Sequence, residues 1–75
     1  MDRTPLDSTT LASAGYDPET LVLEVQFCGG AIYRYHLVPC SIYRDLLAAD
    51  SKGRFFNRFI RPNFACEPLA GKASA

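Results

Sequence analysis

The side chains with the clearest capacity for binding chemistry lie in residues 51–62 of this 75-residue chain. At 3.6 residues per helical turn, Arg54, Arg58 and Arg61 fall on one stripe of a predicted helix. Arginine presents a planar fork of donors that can engage a phosphate with two hydrogen bonds. The segment therefore predicts a nucleic-acid-binding surface, whose candidate residues are Lys52, Arg54, Asn57, Arg58 and Arg61, with Arg34 as an additional contributor.

The opposite side of the same helix is apolar. Phe56, Phe59 and Ile60 fall away from the arginines and Phe55 flanks them, so we expect this side to face the core. A polar stripe opposite an apolar one is also typical of any surface helix, and the helix dipole favours cations near a C-terminus. The arginine stripe therefore has two interpretations, a phosphate-binding surface or an ordinary solvated face.

The charge of the chain is balanced in total but uneven along its length. Eight Lys and Arg residues offset eight Asp and Glu residues, which is not the composition of a strong non-specific DNA binder. Residues 1–31 hold five acids and one base, whereas the remainder holds seven bases and three acids. Such asymmetry can steer an anionic partner toward one side of a protein.

The residue types give little support for catalysis or for metal binding. Cys28, Cys40 and Cys66 lack the spacing of zinc ligands, and His36 is the one histidine. We expect reduced thiols, the first two half-buried, and an exposed imidazole. The chain has no phosphate-loop motif and no Ser-His-Asp order. We therefore predict a non-enzymatic protein with no catalytic residues, no metal and no cofactor.

The length predicts a single small domain. A chain of this size buries only about 60% of its unfolded surface, which leaves no room for two cores. Residues 1–8 and 65–75 are expected to be flexible tails around a domain at residues 9–64. The polar start does not resemble a signal peptide, and no apolar run approaches the ~20 residues of a membrane span. We expect a cytoplasmic protein with no membrane partner.

Hydrophobic periodicity predicts three strands. Residues 10–16 are a strand candidate, and residues 21–27 and 32–38 alternate apolar with polar side chains. A loop with Gly30 in a left-handed conformation keeps the apolar side chains on one face. The resulting cross-strand pairs are Val25 with Tyr33, Leu23 with Tyr35, Leu21 with Leu37, and Glu24 with Arg34. The two tyrosines then face the core, which argues against a base-stacking platform on the open face.

Two short helices follow the strands. Pro39 can open the first, which extends to about residue 49. Ser51 is a suitable N-cap for the second, and Pro62 ends it. The expected fold class is α+β, a three-stranded antiparallel β-meander with two short C-terminal helices packed on one face.

Six short motifs then suggest a family. They are Gly15-Tyr16-Asp17, Leu23-x-Val25-x-Phe27, Tyr33-Arg34-Tyr35, Val38-Pro39, residues 49–53 (Ala-Asp-Ser-Lys-Gly) and Phe56-Asn57-x-x-Ile60-Arg61. Their order and spacing resemble the KTSC domain, a small module found at the C-terminus of some lysyl-tRNA synthetases and as free-standing bacterial proteins. The resemblance implies no established activity and supplies no catalytic residue. The association with a tRNA synthetase implies RNA, and tRNA in particular, as a partner.

Two functions remain open at this point. The first is RNA or tRNA binding through the basic stripe of the second helix. The second is a protein-interaction module that uses a sheet edge or the open sheet face at Val22, Ile32, Arg34 and His36, with homodimerisation as one form of it. We expect a monomer or a weak dimer.

Overall fold

The computed structural model describes residues 3–69. One antiparallel sheet contains five strands in chain order: β1 (Thr4–Pro5), β2 (Leu11–Asp17), β3 (Val22–Phe27), β4 (Ile32–Tyr35) and β5 (Cys66–Pro68). Helix α1 spans Cys40–Ala48. A second helix begins as an α-helical segment at Lys52–Phe55 and continues as a π-helical turn at Phe56–Ile60; together these segments are called α2. The expected α+β class is confirmed.

The number of strands expected from the sequence, three, is wrong, because the sheet has five. The additional strands β1 and β5 pair with β2 and β4 at the two edges. They fall in residues 1–8 and 65–75, which the sequence assigned to tails; residues 1–2 and 70–75 lie outside the described range. Strands of two and three residues are too short for a periodic pattern, and each contains a proline, which sheets accept at their edges.

The central hairpin has the predicted register. Gly30 is left-handed, with φ of 104°. Val25 lies opposite Tyr33, Leu23 opposite Tyr35, and Glu24 opposite Arg34. This register follows from the alternation of apolar side chains, because a slip by one residue would turn every one of them to the other face.

The predicted pairing of Leu21 with Leu37 is wrong. Both residues lie outside the strands with φ of 59°, an uncommon conformation for a bulky side chain. The Val38 N–H donates to the Leu21 carbonyl at 2.9 Å. Val38 is consequently fully buried while Leu37 is 73% exposed, since the left-handed turn shifts the inward position by one residue.

The two helices pack on one face of the sheet. Leu46 is the buried residue of α1, and the Tyr43 ring stacks on Tyr16 of β2 with ring centres 5.1 Å apart. From α2, the Phe56 ring packs nearly perpendicular to the rings of Phe27 and Tyr35, at ring-centre distances of 5.4 and 5.2 Å. Tyr35 therefore faces the core as predicted, and the neighbouring side chain of Arg34 points to the other side of the sheet.

An ion network lies on the face away from the helices. The Glu24 side chain there is only 5% exposed. Arg34 Nε donates to Glu24 Oε1 at 3.0 Å, and Arg3 Nη1 donates to Glu24 Oε2. The carboxylate thus joins β3 to β4 and to the residue that precedes β1, and both guanidinium groups are already paired.

Candidate nucleic-acid interface

Helix α2 is positioned by its first turn. Ser51 Oγ accepts a hydrogen bond from the Arg54 N–H at 3.4 Å, which confirms the predicted N-cap. Gly53 is buried, and a Cβ built there would lie 2.7 Å from Thr10 Oγ1 and 2.9 Å from Thr10 Cβ. Glycine is therefore needed for this close approach of the helix to the residue that precedes β2, which fixes where the next side chains emerge.

The π-helical turn then changes which side chains face outward. The Arg61 N–H donates to the Phe56 carbonyl, five residues earlier, at 2.9 Å. Phe56 and Ile60 are fully buried, but Phe59 is 45% exposed. The expectation that Phe59 faces the core is wrong, because it assumed 3.6 residues per turn throughout the helix. Asn63 Nδ2 donates to the Phe59 carbonyl at 2.8 Å and supports the end of the turn.

An open groove of about 270 Å³ lies between the end of α1 and α2. Its walls are residues 49–51, Arg54, Phe55, Arg58 and Phe59. The rings of Phe55 and Phe59 are 4.9 Å apart and tilted by 42°. The Arg58 guanidinium carbon lies 5.8 Å from the centre of the Phe59 ring, within cation–π range. The groove thus combines two cationic side chains with an aromatic wall.

Two further candidate residues lie on the same helix outside the groove. Lys52 Nζ donates to the carbonyl of Ala49, a groove residue, at 3.1 Å. Its ammonium therefore lies at the rim. Asn57 is exposed but is not a groove residue.

Arg61 and Arg34 lie on other surfaces. The Arg61 guanidinium carbon is 5.9 Å from the centre of the Phe56 ring. Burial raises the pKa of Tyr35 to about 12, with contributions in the same direction from Cys66, while the Arg61 guanidinium opposes the rise. Arg34 is bound to Glu24 on the opposite face of the sheet. The structure therefore brings Arg54 and Arg58 together and separates both from Arg61 and Arg34.

The thiols and the imidazole are dispersed over the surface. Cys28, Cys40 and Cys66 are exposed, so the expectation that the first two are half-buried is wrong; they lie at a hairpin turn and at a helix start. His36 Nε2 is 3.6 Å from Glu67 Oε1 on the predicted solvent side. Across residues 3–69 no three His, Cys, Asp or Glu side chains are grouped as metal ligands would be. Over the same range no helix has the length and apolar character to span a bilayer.

Sequence reasoning missed the aromatic wall of the groove. Phe55 and Phe59 were assigned to the apolar side of the helix and not to the site. A signal was present, because Phe55, Phe56, Phe59 and Ile60 place four large apolar side chains within six residues. That is more than one buried stripe of a short helix accommodates.

A five-stranded antiparallel sheet with two short helices on one face defines a small α+β module. The family model for the KTSC domain matches residues 7–64, and the chain belongs to this family. A crystal structure of a KTSC domain protein from Yersinia pestis has a TM-score of 0.88 and 38% sequence identity, over 91% of this chain and 96% of that one. The resemblance noted in the sequence motifs is confirmed.

Relatives of two kinds share this domain. An uncharacterized protein from Stutzerimonas stutzeri (strain A1501) is 52% identical over 62 residues, which cover 83% of this chain and 87% of the relative. A lysine–tRNA ligase from Nostoc punctiforme is 36% identical over 64 residues, which cover 85% of this chain but only 11% of the ligase. The chain is therefore similar both to whole small proteins and to one segment of a much larger enzyme.

Proposed function

We propose that this protein is a binding module for RNA, with tRNA as the first candidate, and that phosphates contact Arg54 and Arg58 in the groove. The observation that carries the proposal is the placement of these two arginines on one concave surface. Among the described residues neither is in a salt bridge, whereas Arg3 and Arg34 are both paired with Glu24. Unpaired guanidinium groups are available to phosphate without first losing an acidic partner.

The charge at the groove indicates modest affinity. Arg54 and Arg58, with Lys52 at the rim, outnumber the one acid of the groove, Asp50. Each phosphate neutralised on a single strand contributes about −0.7 to the slope of log K against log salt. Two or three contacts therefore predict a slope between about −1.4 and −2.

The remaining candidates are peripheral in this proposal. Asn57 of α2 and Arg61, which directly follows α2, lie outside the groove, where an extended strand can meet them. Arg34 would have to leave its bond with Glu24 to bind phosphate. Similarity to a segment of lysine–tRNA ligases supports RNA as the partner class.

Titration of the protein with total tRNA at low and moderate salt tests the proposal. Arg58→Gln should weaken binding and bring the salt slope about 0.7 closer to zero, because one phosphate contact is lost. Arg44→Gln is the matched control, since it removes the same charge from an exposed position on α1. Lack of tRNA binding by the wild type at low salt, or equal effects of the two substitutions, would contradict the proposal.

Protein binding is the second candidate, and an exposed apolar patch favours it. Leu37 is 73% exposed and Leu21 is 36% exposed, in adjacent loops with left-handed backbone. The sheet edges offer less, because β1 and β5 each contain a proline that obstructs strand addition. Self-association that Leu37→Asp abolishes in light scattering would support the homodimer form, and a strict monomer would remove it.

A further inference from the structure

Phe59 is an exposed aromatic residue whose exposure results from an irregular helix. In a regular α-helix, a residue three positions after the buried Phe56 would share its face. The π-helical turn carries the Phe59 ring outward, while Phe56 and Ile60 remain fully buried. Turns of this kind occur frequently at functional sites. The ring forms one wall of the groove instead of packing in the core.

The size of the groove limits what it can hold. Its volume, about 270 Å³, is slightly below the roughly 300–1,000 Å³ of ordinary small-molecule pockets. It is also open, so a bound group can remain attached to a longer chain. These dimensions suit one planar group inserted from a polymer.

The chemistry of the walls has two parts. The Phe59 side chain is 45% exposed, with the Phe55 ring 4.9 Å away and the Arg58 guanidinium over the ring at 5.8 Å from its centre. A flat group that stacks on this face takes the place of the guanidinium, which then turns toward a neighbouring negative charge. Arg54 lines the groove one turn earlier. A ligand that complements these walls has a flat aromatic part and a negative charge within a few ångströms of it.

We propose that the groove binds one unpaired nucleotide of RNA, with its base stacked on Phe59 and its flanking phosphates on Arg54 and Arg58. The inference rests on the proposed RNA-binding function and specifies its ligand. Bases within a double helix are already stacked and have no free face, whereas bases of loops and single strands can be splayed onto aromatic side chains. The protein therefore selects single-stranded or looped RNA over a duplex.

Three RNA probes with equal numbers of phosphates separate the two parts of the site. They are a short single strand, the same strand with abasic positions, and a blunt duplex. The wild type should bind the single strand at least about 5-fold more tightly than either of the others, since base stacking on an aromatic side chain contributes roughly 1–3 kcal/mol. A 2-aminopurine base in the single strand should lose fluorescence on binding as it stacks.

Substitutions at Phe59 isolate the ring. Phe59→Leu should weaken single-strand binding about 5-fold or more with an unchanged salt slope, because no phosphate contact is lost. Phe59→Tyr keeps a six-membered ring and should retain affinity. Arg58→Gln should instead move the salt slope about 0.7 closer to zero. Leu47→Ala, which truncates an exposed apolar side chain of α1 that does not line the groove, is the control for a general loss of apolar surface.

The outcomes distinguish this inference from the proposed function. Equal binding of the intact and abasic strands, or of the wild type and Phe59→Leu, would overturn the nucleotide site while leaving phosphate binding in place. A peptide that binds at Phe59 when the RNA does not would overturn it as well. Failure of every RNA probe to bind at low salt would overturn both.

Discussion

Glu24 is a buried carboxylate whose two partners belong to different parts of the chain. Its side chain is 5% exposed and accepts hydrogen bonds from Arg3 and Arg34. Hydrogen bonds to a charged group contribute about 1.5–3 kcal/mol each. The carboxylate therefore stabilises both the central hairpin and the attachment of the first strand.

We predict that Glu24→Gln lowers the free energy of unfolding by about 1–3 kcal/mol in urea denaturation. The neutral amide retains the shape but binds the guanidinium groups less strongly. Glu67→Gln is the matched control, because the Glu67 side chain is 59% exposed beside His36 and exposed pairs contribute roughly 0–1 kcal/mol. Similar losses for the two variants would contradict the role assigned to Glu24.

The Asp17 carboxyl makes the free energy of unfolding depend on pH in the acid range. The Glu19 N–H donates to Asp17 Oδ1 at 3.0 Å, and this bond, with further bonds from Thr20, lowers the pKa of the Asp17 carboxyl. The folded state thus favours the ionised form. The resulting stabilisation is present above the unfolded pKa, about 3.9, and is lost as pH falls through the lower folded pKa.

We predict that Asp17→Asn flattens the acid limb of the stability profile. Asparagine can still accept a hydrogen bond from the Glu19 N–H but does not titrate. The contribution of residue 17 to the free energy of unfolding should therefore not change below about pH 4. The measurement is the urea midpoint of both proteins at a series of pH values down to about pH 2. Parallel profiles would show that Asp17 does not contribute.

At the scale of elements, α2 depends on contact with the sheet at Gly53. Alanine is normally preferred to glycine inside a helix by about 1 kcal/mol. A methyl at Gly53 would however meet Thr10 at 2.7–2.9 Å, and overpacking of this kind costs about 1–3 kcal/mol. The helix preference would stabilise an alanine at this position, whereas the contact with Thr10 would destabilise it. Because the β-branched side chain of Thr10 is stiff, we expect the destabilising contact to dominate.

We predict that Gly53→Ala lowers the urea midpoint and weakens RNA binding, because the groove follows the helix. Gly29→Ala provides the control, since an added methyl there meets nothing within 4 Å. A Gly53→Ala protein that is more stable than the wild type would show that helix propensity exceeds the contact with Thr10.

The elements differ in how far the sequence predicted them. The register of the β3–β4 hairpin was predictable because apolar alternation and the pairing of Glu24 with Arg34 agree. The prediction failed only beyond Tyr35, where β4 ends and a left-handed turn begins. The strands β1 and β5 carry no such pattern and are defined by their pairing with β2 and β4. The π-helical turn was not predictable from periodicity, since the expected faces of α2 all assume regular α-helical geometry.

The candidate site was predicted only in part, because its geometry also depends on the π-helical turn. The sequence identified Arg54 and Arg58 by residue type and spacing. It could not separate them from Arg61, because that separation depends on the wider turn. It also could not show that Arg34 is paired on the other face, which requires the position of Glu24 in three dimensions.

At the scale of the whole molecule, both ends of the described chain complete the sheet. Besides the strand pairing, the His36 N–H donates to the Ala65 carbonyl and the Leu69 N–H to the Ile32 carbonyl, at 2.9 and 3.0 Å. At the other edge, the Leu6 N–H donates to the Ala12 carbonyl at 3.0 Å. A domain cut at the boundaries expected from the sequence, residues 9–64, lacks all of these bonds.

We predict that a protein of residues 9–64 is less stable than one of residues 3–69. Three hydrogen bonds at about 1 kcal/mol each correspond to a fall in Tm of at least about 12 °C for a domain of this size. Thermal unfolding followed by circular dichroism measures the difference. Equal Tm values would show that the edge strands add nothing to the stability of the central hairpin and helices.

The number of residues in the π-helical turn also determines which side chains α2 exposes. A five-residue hydrogen-bonded step contains one residue more than the step of an α-helix. Deleting a single residue from Phe56–Ile60 would allow a regular helix and change which side chains form the wall of the groove. One in-frame codon can therefore create or erase this feature in a lineage. Among KTSC proteins, the number of residues between the Ser51 and Pro62 positions is the trait to compare, before their identities.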